Sequence, residues 1–221
     1  MGWFARTFTY SIGKKLIMAL TGLFLVIFLL VHLFGNVFLY VGKDAFNAYV
    51  HTLNETGLKI PIKILEVFLA LGFLFHMIDG VTVWIQNRIA RGVGYKIKKP
   101  DPESTFASRN MIISALLVFV FLVIHLRDFW YAFHYGDKGP DITDYDIVVG
   151  VFHEPIYVTI YLVAMVLLGL HLYHGFQSAF QTLGLNHKKY TPFIVWFGRF
   201  YAIFVSAAFA SFPIYFFLFV R

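Results

Sequence analysis

Histidine is the residue type with the most chemical potential in this chain, and it is unevenly distributed. Nine histidines are present, and cysteine is absent. Four of them lie deep inside long apolar stretches, namely His32, His76, His125 and His171, and His174 follows one turn after the last. Neutral imidazole is a common ligand of metals and of haem iron. Ionisable side chains inside a membrane span are costly and usually functional. The four buried histidines are therefore the candidate binding residues.

The stretches that contain these histidines are long enough to cross a bilayer. The 221-residue chain is 59% hydrophobic and 14% charged, whereas a soluble domain carries about 25% charged residues. A transmembrane helix needs about 20 apolar residues, and the chain has five such spans, at about 16–40, 62–87, 111–133, 155–183 and 194–220. They are too long and too uniform for barrel strands. We predict an all-α fold, an integral membrane bundle of five transmembrane helices forming a single domain over residues 1–221.

The orientation follows from the positive charges, because cytoplasmic loops are enriched in Lys and Arg. The N-terminal arm and the second and fourth loops are basic, whereas the third loop is acidic. The basic residues are Arg6, Lys14, Lys15, Arg88, Arg91, Lys96, Lys98, Lys99, Arg109, Lys188 and Lys189. We therefore expect a cytoplasmic N-terminus and a C-terminus, Arg221, outside. The net charge of +6 comes from Lys and Arg residues at the ends of the spans, next to the lipid. We therefore expect no nucleic-acid partner.

This orientation sorts the four histidines into two pairs by depth. His32 and His125 each lie 8 residues before the outer end of a span that runs outward, which is about 12 Å below that end. His76 and His171 lie 11 and 12 residues before the inner end of a span that runs inward, about 17 Å from it. Two facing imidazoles in an apolar bundle match bis-histidine ligation. The sequence therefore predicts two non-covalent b haems at different depths.

Small residues beside the histidines favour the same interpretation. A glycine follows each inner histidine by four residues, Gly80 and Gly175, and so leaves a bare helix face on which a porphyrin can lie. Asn36 stands in the same place after His32, with Gly35 beside it.

Two other interpretations of the histidines remain open at this point. Histidines inside a membrane can simply hydrogen-bond between helices, which would make them structural. Zinc or copper transport would favour carboxylates or thiolates clustered with histidines at one depth, but here cysteine is absent and the histidines lie at two depths.

Several sequence stretches resemble one family, the di-haem cytochrome b membrane-anchor subunit of bacterial succinate:quinone oxidoreductase and quinol:fumarate reductase (five-helix class, complex II family). The resemblance covers nearly the whole chain. It is carried by SIGKKLIMALTGLFL (Ser11 to Leu25), VHLFGN (Val31 to Asn36), LEVF (Leu65 to Phe68), FHMIDG (Phe75 to Gly80), VIHLRDFW (Val123 to Trp130) and HLYHGFQSAFQTLGLNH (His171 to His187).

The resemblance implies the haem ligands. His32 and His125 would bind the distal haem near the outer face, and His76 and His171 would bind the proximal haem near the cytoplasm. This agrees with the pairing by depth.

The fourth span offers two histidines, and the resemblance favours His171 over His174. The family's ligand stands 13 residues before a closing glycine, here Gly184. His171 also has Gly175 one turn on, whereas His174 has Ser178 there. His174 remains a candidate contact of a haem propionate or a quinone.

The resemblance also implies the role of the chain. It would anchor a flavoprotein subunit and an iron–sulfur subunit to the cytoplasmic face of a bacterial inner membrane. Electrons would pass between succinate or fumarate and a quinone, typically menaquinone, through the two haems. The chain would supply haem ligation and a quinone site but no catalytic residue of the dicarboxylate reaction, within a heterotrimer that can dimerise. The alternatives are a cytochrome b of another respiratory complex, of hydrogenase or formate dehydrogenase type, and a transporter or assembly factor with structural histidines.

Three charged residues within the spans are weaker candidates. Glu66 and Asp79 are carboxylates able to exchange protons with a quinone, and an ion pair that stabilises the bundle is the alternative. Arg127 is a candidate partner of a distal haem propionate, and a guanidinium that reaches the membrane surface is the alternative.

Overall fold

The computed structural model describes residues 11–90, 109–136, 139 and 141–220, and within them the chain is helical without a strand. Eight α-helices and one π-helix occur in these residues. In chain order they are α1 (Ser11–Val41), α2 (Lys43–Glu55), α3 (Lys59–Ala90), α4 (Met111–His125), the π-helix (Leu126–Tyr131), α5 (Ala132–Tyr135), α6 (Asp144–His153), α7 (Pro155–Thr182) and α8 (Thr191–Phe219).

The predicted five-helix architecture is confirmed, since five helical segments are long and apolar enough to cross a membrane. They are α1, α3, the continuous segment Met111–Tyr135, α7 and α8. The ends differ from the prediction by up to five residues. The largest difference is in α1, which begins at Ser11 instead of 16. Lys14 and Lys15 therefore lie inside the helix, where long side chains can reach the membrane surface while their stems stay apolar.

Two short helices, α2 and α6, occur in loops for which no helix was predicted. The N-terminus of α6 is closed by a capping box, in which Asp146 Oδ2 accepts hydrogen bonds from the backbone N–H and the hydroxyl of Thr143. Gly42, with φ of 124°, makes the turn between α1 and α2. Lys43 Nζ lies 2.7 Å from Asp146 Oδ2 and joins the two helices. We call the end of the bundle that carries α2 and α6 the upper end, and the opposite end, where α1 begins, the lower end.

The packing is organised around α7, which contacts α1, α4 and α8, while α1 also contacts α3. Two clusters of buried residues hold the bundle together. The upper cluster contains Leu33, Leu39, Phe46, Val148, Phe152, Tyr161, Phe212 and Phe216. The cluster nearer the lower end contains Leu172, Tyr201, Ala202 and Val205. Helices α1, α3, α4 and α7 thus surround the space in which the four histidines lie.

Some of the charges that predict the orientation lie outside the described residues, namely Arg6, Arg91, Lys96, Lys98 and Lys99, and so does the C-terminal Arg221. The described cations of the basic segments lie at the lower end: Lys14 and Lys15 near the start of α1, Arg88 at the end of α3, Arg109 before α4, and Lys188 and Lys189 between α7 and α8.

Candidate functional site

The first histidine pair, which we call the upper pair, joins α1 to the end of α4. The rings of His32 and His125 lie 5.7 Å apart between centroids, with their planes at 87°. Phe28 stacks on His32 at 5.4 Å, and Phe209 of α8 lies at 5.6 Å from the same ring. Tyr161 of α7 lies 6.1 Å from His125. The imidazoles therefore lie against each other with aromatic rings packed around them.

The second pair, which we call the lower pair, joins α3 to α7. The rings of His76 and His171 lie 6.2 Å apart, with their planes at 80°. His76 Nδ1 lies 3.1 Å from the carbonyl oxygen of Met18 and 3.4 Å from the hydroxyl of Thr21, both on α1. A hydrogen bond from Nδ1–H to a backbone carbonyl fixes the tautomer and leaves Nε2 free to bind a metal. The lower pair is thus oriented by a helix that does not contribute to it.

Glycine on α1 makes this approach of His76 feasible. A Cβ atom added at Gly22 would lie 3.0 Å from His76 Cε1 and 3.4 Å from its Nδ1. The absence of a side chain at this position therefore lets the imidazole reach the Met18 carbonyl. Gly22 belongs to one of the stretches that carry the family resemblance, and the sequence alone indicates no role for it.

The two pairs lie at well-separated levels of the bundle. The lower pair is level with Met18 on α1, because His76 contacts that residue's carbonyl. The same ring also reaches Gly22, so His32 lies 10 to 14 residues further along the helix, which corresponds to about 15–21 Å of axial rise. A single metal ion cannot be shared across that distance, so the pairs form two separate candidate sites.

Each pair includes one imidazole with a buried nitrogen that has no partner within the described part of the chain. These atoms are Nδ1 of His125 and Nδ1 of His171. Leaving a buried polar atom without a hydrogen bond costs about 1–3 kcal/mol, so such atoms are rare in folded proteins. A group bound between the two rings would change how the imidazoles are held. Such a group is a direct reason for the chain to keep these unpartnered nitrogens.

The separation of the rings is compatible with an iron atom between them, and it is also an ordinary distance for two rings in edge-to-face contact. Two metal–nitrogen bonds of about 2 Å, plus about 1 Å from each nitrogen to its ring centre, place the centroids about 6 Å apart. The observed distances are 5.7 Å and 6.2 Å. Among the described residues, no group of three or more His, Cys, Asp or Glu side chains is arranged to hold a metal ion. Two protein ligands per site suit axial ligation of haem iron better than a structural or catalytic zinc site, which takes three or four.

The glycines that the sequence connected with the haems have different surroundings. Cβ atoms added at Gly80 and Gly175 would meet their nearest neighbours at 3.8 Å, a methionine in each case, so both positions have room beside them. A Cβ at Gly35 would lie 2.6 Å from Tyr49 Oη, and Asn36 Nδ2 donates to the His32 carbonyl. Gly35 is therefore explained by close packing of α2 against α1, and Asn36 by a bond within its own helix.

Glu66 forms an ion pair at the upper end. Lys63 Nζ lies 2.9 Å from Glu66 Oε2 and 2.9 Å from His134 Nε2, while His134 Nδ1 lies 2.8 Å from the carbonyl of Trp130. The sequence left two roles open for Glu66, proton exchange with a quinone and an ion pair that stabilises the bundle. The structure shows the ion pair.

Arg127 is held by the neighbouring Asp128 and by α7. Its Nε donates to Asp128 Oδ1 at 2.9 Å, its Nη2 donates to the hydroxyl of Tyr157 at 2.6 Å, and its guanidinium lies over that ring at 5.5 Å. Asp128 is buried and also accepts a hydrogen bond from the hydroxyl of Tyr161 at 3.2 Å. We call Arg127, Asp128, Tyr157 and Tyr161 the Asp128 network. Nothing in the sequence pattern indicated that Tyr161 belongs to it, because its partners lie on another helix.

The two remaining candidates lie beside the lower pair. Asp79 follows His76 by one turn of α3, partly buried and within electrostatic range of Lys14 and His76. His174 is also partly buried and interacts electrostatically with His171. The ring that faces His76 is that of His171.

A cleft of about 290 Å³ opens beside the upper pair, between α4 and α7. Its volume is close to the lower end of the range for small-molecule sites. The polar groups that line it are Arg127, Glu154 and Tyr157. Three isoleucines complete the wall, Ile124, Ile156 and Ile160. Ile124 is the residue before His125, and neither histidine of the upper pair lines the cleft itself.

Comparison with known proteins adds no assignment to this geometry. No match was found among models of protein families, curated proteins or solved structures. The two histidine pairs, with their surroundings, and the stretches that carry the family resemblance are therefore the features that point to a function.

Proposed function

We propose that the chain is the membrane-anchor cytochrome b subunit of a succinate:quinone oxidoreductase or quinol:fumarate reductase, and that it binds two b haems. The observation that carries this proposal is the presence of two histidine pairs, with ring centroids 5.7 Å and 6.2 Å apart, at levels separated by about 15–21 Å along the bundle. The family resemblance supports the specific complex. The chain would act in electron transfer, while the dicarboxylate chemistry would belong to its partner subunits.

The ligand assignment follows from the pairs. His32 and His125 would hold the upper haem, and His76 and His171 the lower haem, both non-covalently. When bound, each haem supplies one-electron redox chemistry at its iron. The chain's own residues set the conditions for it: the Met18 carbonyl selects the tautomer of His76, and aromatic rings pack against the upper pair.

The charges support a direction for the bundle and a place for the partners. The described cations of the basic segments lie at the lower end, so the positive-inside rule puts this end in the cytoplasm. The N-terminus would then be cytoplasmic and the C-terminus outside, in a bacterial inner membrane. A flavoprotein subunit and an iron–sulfur subunit would dock at the lower end, next to the lower haem.

The cleft beside the upper pair supports the quinone part of the proposal. Arg127 and Tyr157 provide hydrogen-bond donors suited to a quinone carbonyl oxygen, and the isoleucines provide an apolar wall for its ring and tail. Glu154 lies at the same cleft and is a carboxylate able to exchange a proton. We assign the quinone, menaquinone by resemblance, to this cleft.

The test is to purify the tagged chain from its native membrane in mild detergent. The expected result is two haem b per chain by the pyridine haemochrome assay, a flavoprotein and an iron–sulfur protein in the same complex, and succinate-dependent quinone reduction or quinol-dependent fumarate reduction. Fewer than one haem per chain would refute the haem assignment and leave the histidines structural. Two haems with hydrogenase or formate dehydrogenase subunits would refute complex II and support the alternative respiratory complex.

A further inference from the structure

The turn that follows His125 is a π-helix, Leu126–Tyr131, inserted in an otherwise α-helical span. A π-helix accommodates additional backbone within a turn and so changes the direction of the side chains that follow. Such turns are rare and occur frequently at functional sites. Here the wide turn begins at the residue after His125, so this histidine lies directly before the side chains that the turn redirects.

Asp128 is the charged residue of this turn that is buried, with its side chain only 3% exposed. Burial of a carboxylate is unfavourable unless its oxygens are paired. Both oxygens of Asp128 are paired, since Oδ1 accepts hydrogen bonds from Arg127 and Oδ2 accepts one from the hydroxyl of Tyr161. The π-helix is therefore tied to α7 by a charge-assisted bond inside the protein.

Tyr161 connects this bond to the upper pair. Tyr161 is 5% exposed, and its ring centroid lies 6.1 Å from that of His125 and 4.9 Å from that of Phe121. The hydroxyl of Tyr161 thus bonds Asp128 while its ring contacts the imidazole. The ring also packs against Phe152 at 5.2 Å and Phe129 at 5.9 Å, so these phenylalanines, Phe121 and the bond to Asp128 together hold it beside the imidazole.

We propose that Asp128, acting through Tyr161, is the positioning residue of His125, and that it sets the rotation of this imidazole toward the iron of the upper haem. Asp128 does not itself contact His32 or the iron in this assignment. The inference rests on the proposed function, and it adds to that function a specific device: a buried carboxylate on the π-helix that determines the angle between the two imidazoles, 87° in this structure.

The test compares conservative variants of the purified complex. Tyr161→Phe removes the hydroxyl but keeps the ring against His125, and Asp128→Ala removes the carboxylate. The matched control is Tyr201→Phe, because Tyr201 is equally buried, at 4% exposed, and its hydroxyl also makes one hydrogen bond, to the Val26 carbonyl. Haem content, the midpoint potentials and the electron paramagnetic resonance signals of the two ferric haems are measured for each, since the signal of a low-spin haem depends on the angle between its axial imidazole planes.

The expected result is that Tyr161→Phe retains both haems and shifts the signal and the potential of the upper haem, while the lower haem and the Tyr201→Phe variant match the wild type. If Asp128→Ala does not assemble, Tyr161→Phe still decides the question, because its packing is preserved. An upper-haem signal unchanged in Tyr161→Phe, or equally changed in Tyr201→Phe, overturns the inference and leaves the proposed function intact. A wild-type chain without haem refutes the proposed function, and this inference with it.

Discussion

Replacement of Gly22 by alanine tests how the lower pair is oriented. The added methyl group would lie 3.0 Å from His76 Cε1 and 3.4 Å from Nδ1. A contact of 3.0 Å is tighter than ordinary van der Waals distance, so the imidazole must retreat by a few tenths of an ångström. The hydrogen bond from His76 Nδ1 to the Met18 carbonyl is 3.1 Å long, and N–H···O bonds extend to about 3.2 Å. The retreat therefore removes or weakens this bond.

The magnitude follows from the value of one such bond. A hydrogen bond of this kind contributes about 0.5–1.5 kcal/mol, and 1.4 kcal/mol is a factor of ten in affinity. We expect Gly22→Ala to retain the lower haem up to about tenfold less tightly and to shift its midpoint potential. The upper haem should be unaffected, because its ligands lie about 15–21 Å away along the bundle.

The assay is a redox titration of the two haems in purified wild-type and variant complexes, together with haem content after extended dialysis in detergent. The matched control is Gly72→Ala, which places a methyl group 3.1 Å from the ring of Phe24 at the same α1–α3 interface. Gly72→Ala disturbs the packing of the two helices without touching a histidine. An unchanged lower haem in Gly22→Ala, or the same change in both variants, would show that Gly22 has no specific role in orienting His76.

Three further outcomes are expected. Replacing His171 with leucine should abolish the lower haem, whereas His174→Leu should leave it bound with a modest shift in potential, as judged by haem content and redox titration; the opposite pattern would contradict both the pairing and the glycine argument. Replacing His125 with leucine should reduce the stoichiometry from two haems to one and leave the lower haem's potential in place, and loss of both haems in a folded variant would refute separate sites. At the upper end, the hydrogen bond from Lys43 lowers the pKa of Asp146 to about 2, below its unfolded value of about 3.9. The stabilisation by this pair is therefore fully present above about pH 4 and lost as the pH falls toward 2, so the difference in thermal stability between wild type and Asp146→Asn should be constant from pH 7 to 5 and shrink below pH 4.

The membrane spans were predictable because their signal is long and one-dimensional. About 20 apolar residues are needed to cross a bilayer whatever surrounds them, and the segments around His32 and His171 meet that condition without any knowledge of packing. The bounds are less predictable, since Lys14 and Lys15 continue α1 although they are charged. The position of a helix end depends on capping and on how far long side chains can extend to the membrane surface. Counting apolar residues gives neither quantity.

The short helices and the π-helix were not predicted, for different physical reasons. Helices α2 and α6 are below the length of a span, and α6 owes its start to a capping box that uses Asp146 where glutamate is usual. The π-helix depends on partners distant in sequence, because Asp128 is paired with Tyr161 of α7. No local pattern around residue 128 contains that information.

The depths that pair the histidines were accessible from the sequence because they depend on only two quantities, the direction of each span and its rise per residue. The orientation of each imidazole was not, because it depends on a third helix. His76 is held by α1 through the Met18 carbonyl, and His125 is contacted by Tyr161 of α7. A one-residue register change in either supporting helix would leave the depths nearly the same and lose these contacts.

Each pair is thus supported by a helix that provides a ligand to the other pair. Helix α1 carries His32 of the upper pair and orients His76 of the lower pair, whereas α7 carries His171 of the lower pair and contacts His125 of the upper pair. Because α1 and α7 also pack directly against each other, a displacement of either one changes the surroundings of both pairs, while a displacement of α3 or α4 changes one. The two sites are chemically separate by about 15–21 Å but mechanically connected through these two helices, so a change that moves α1 against α7 should alter both haems together.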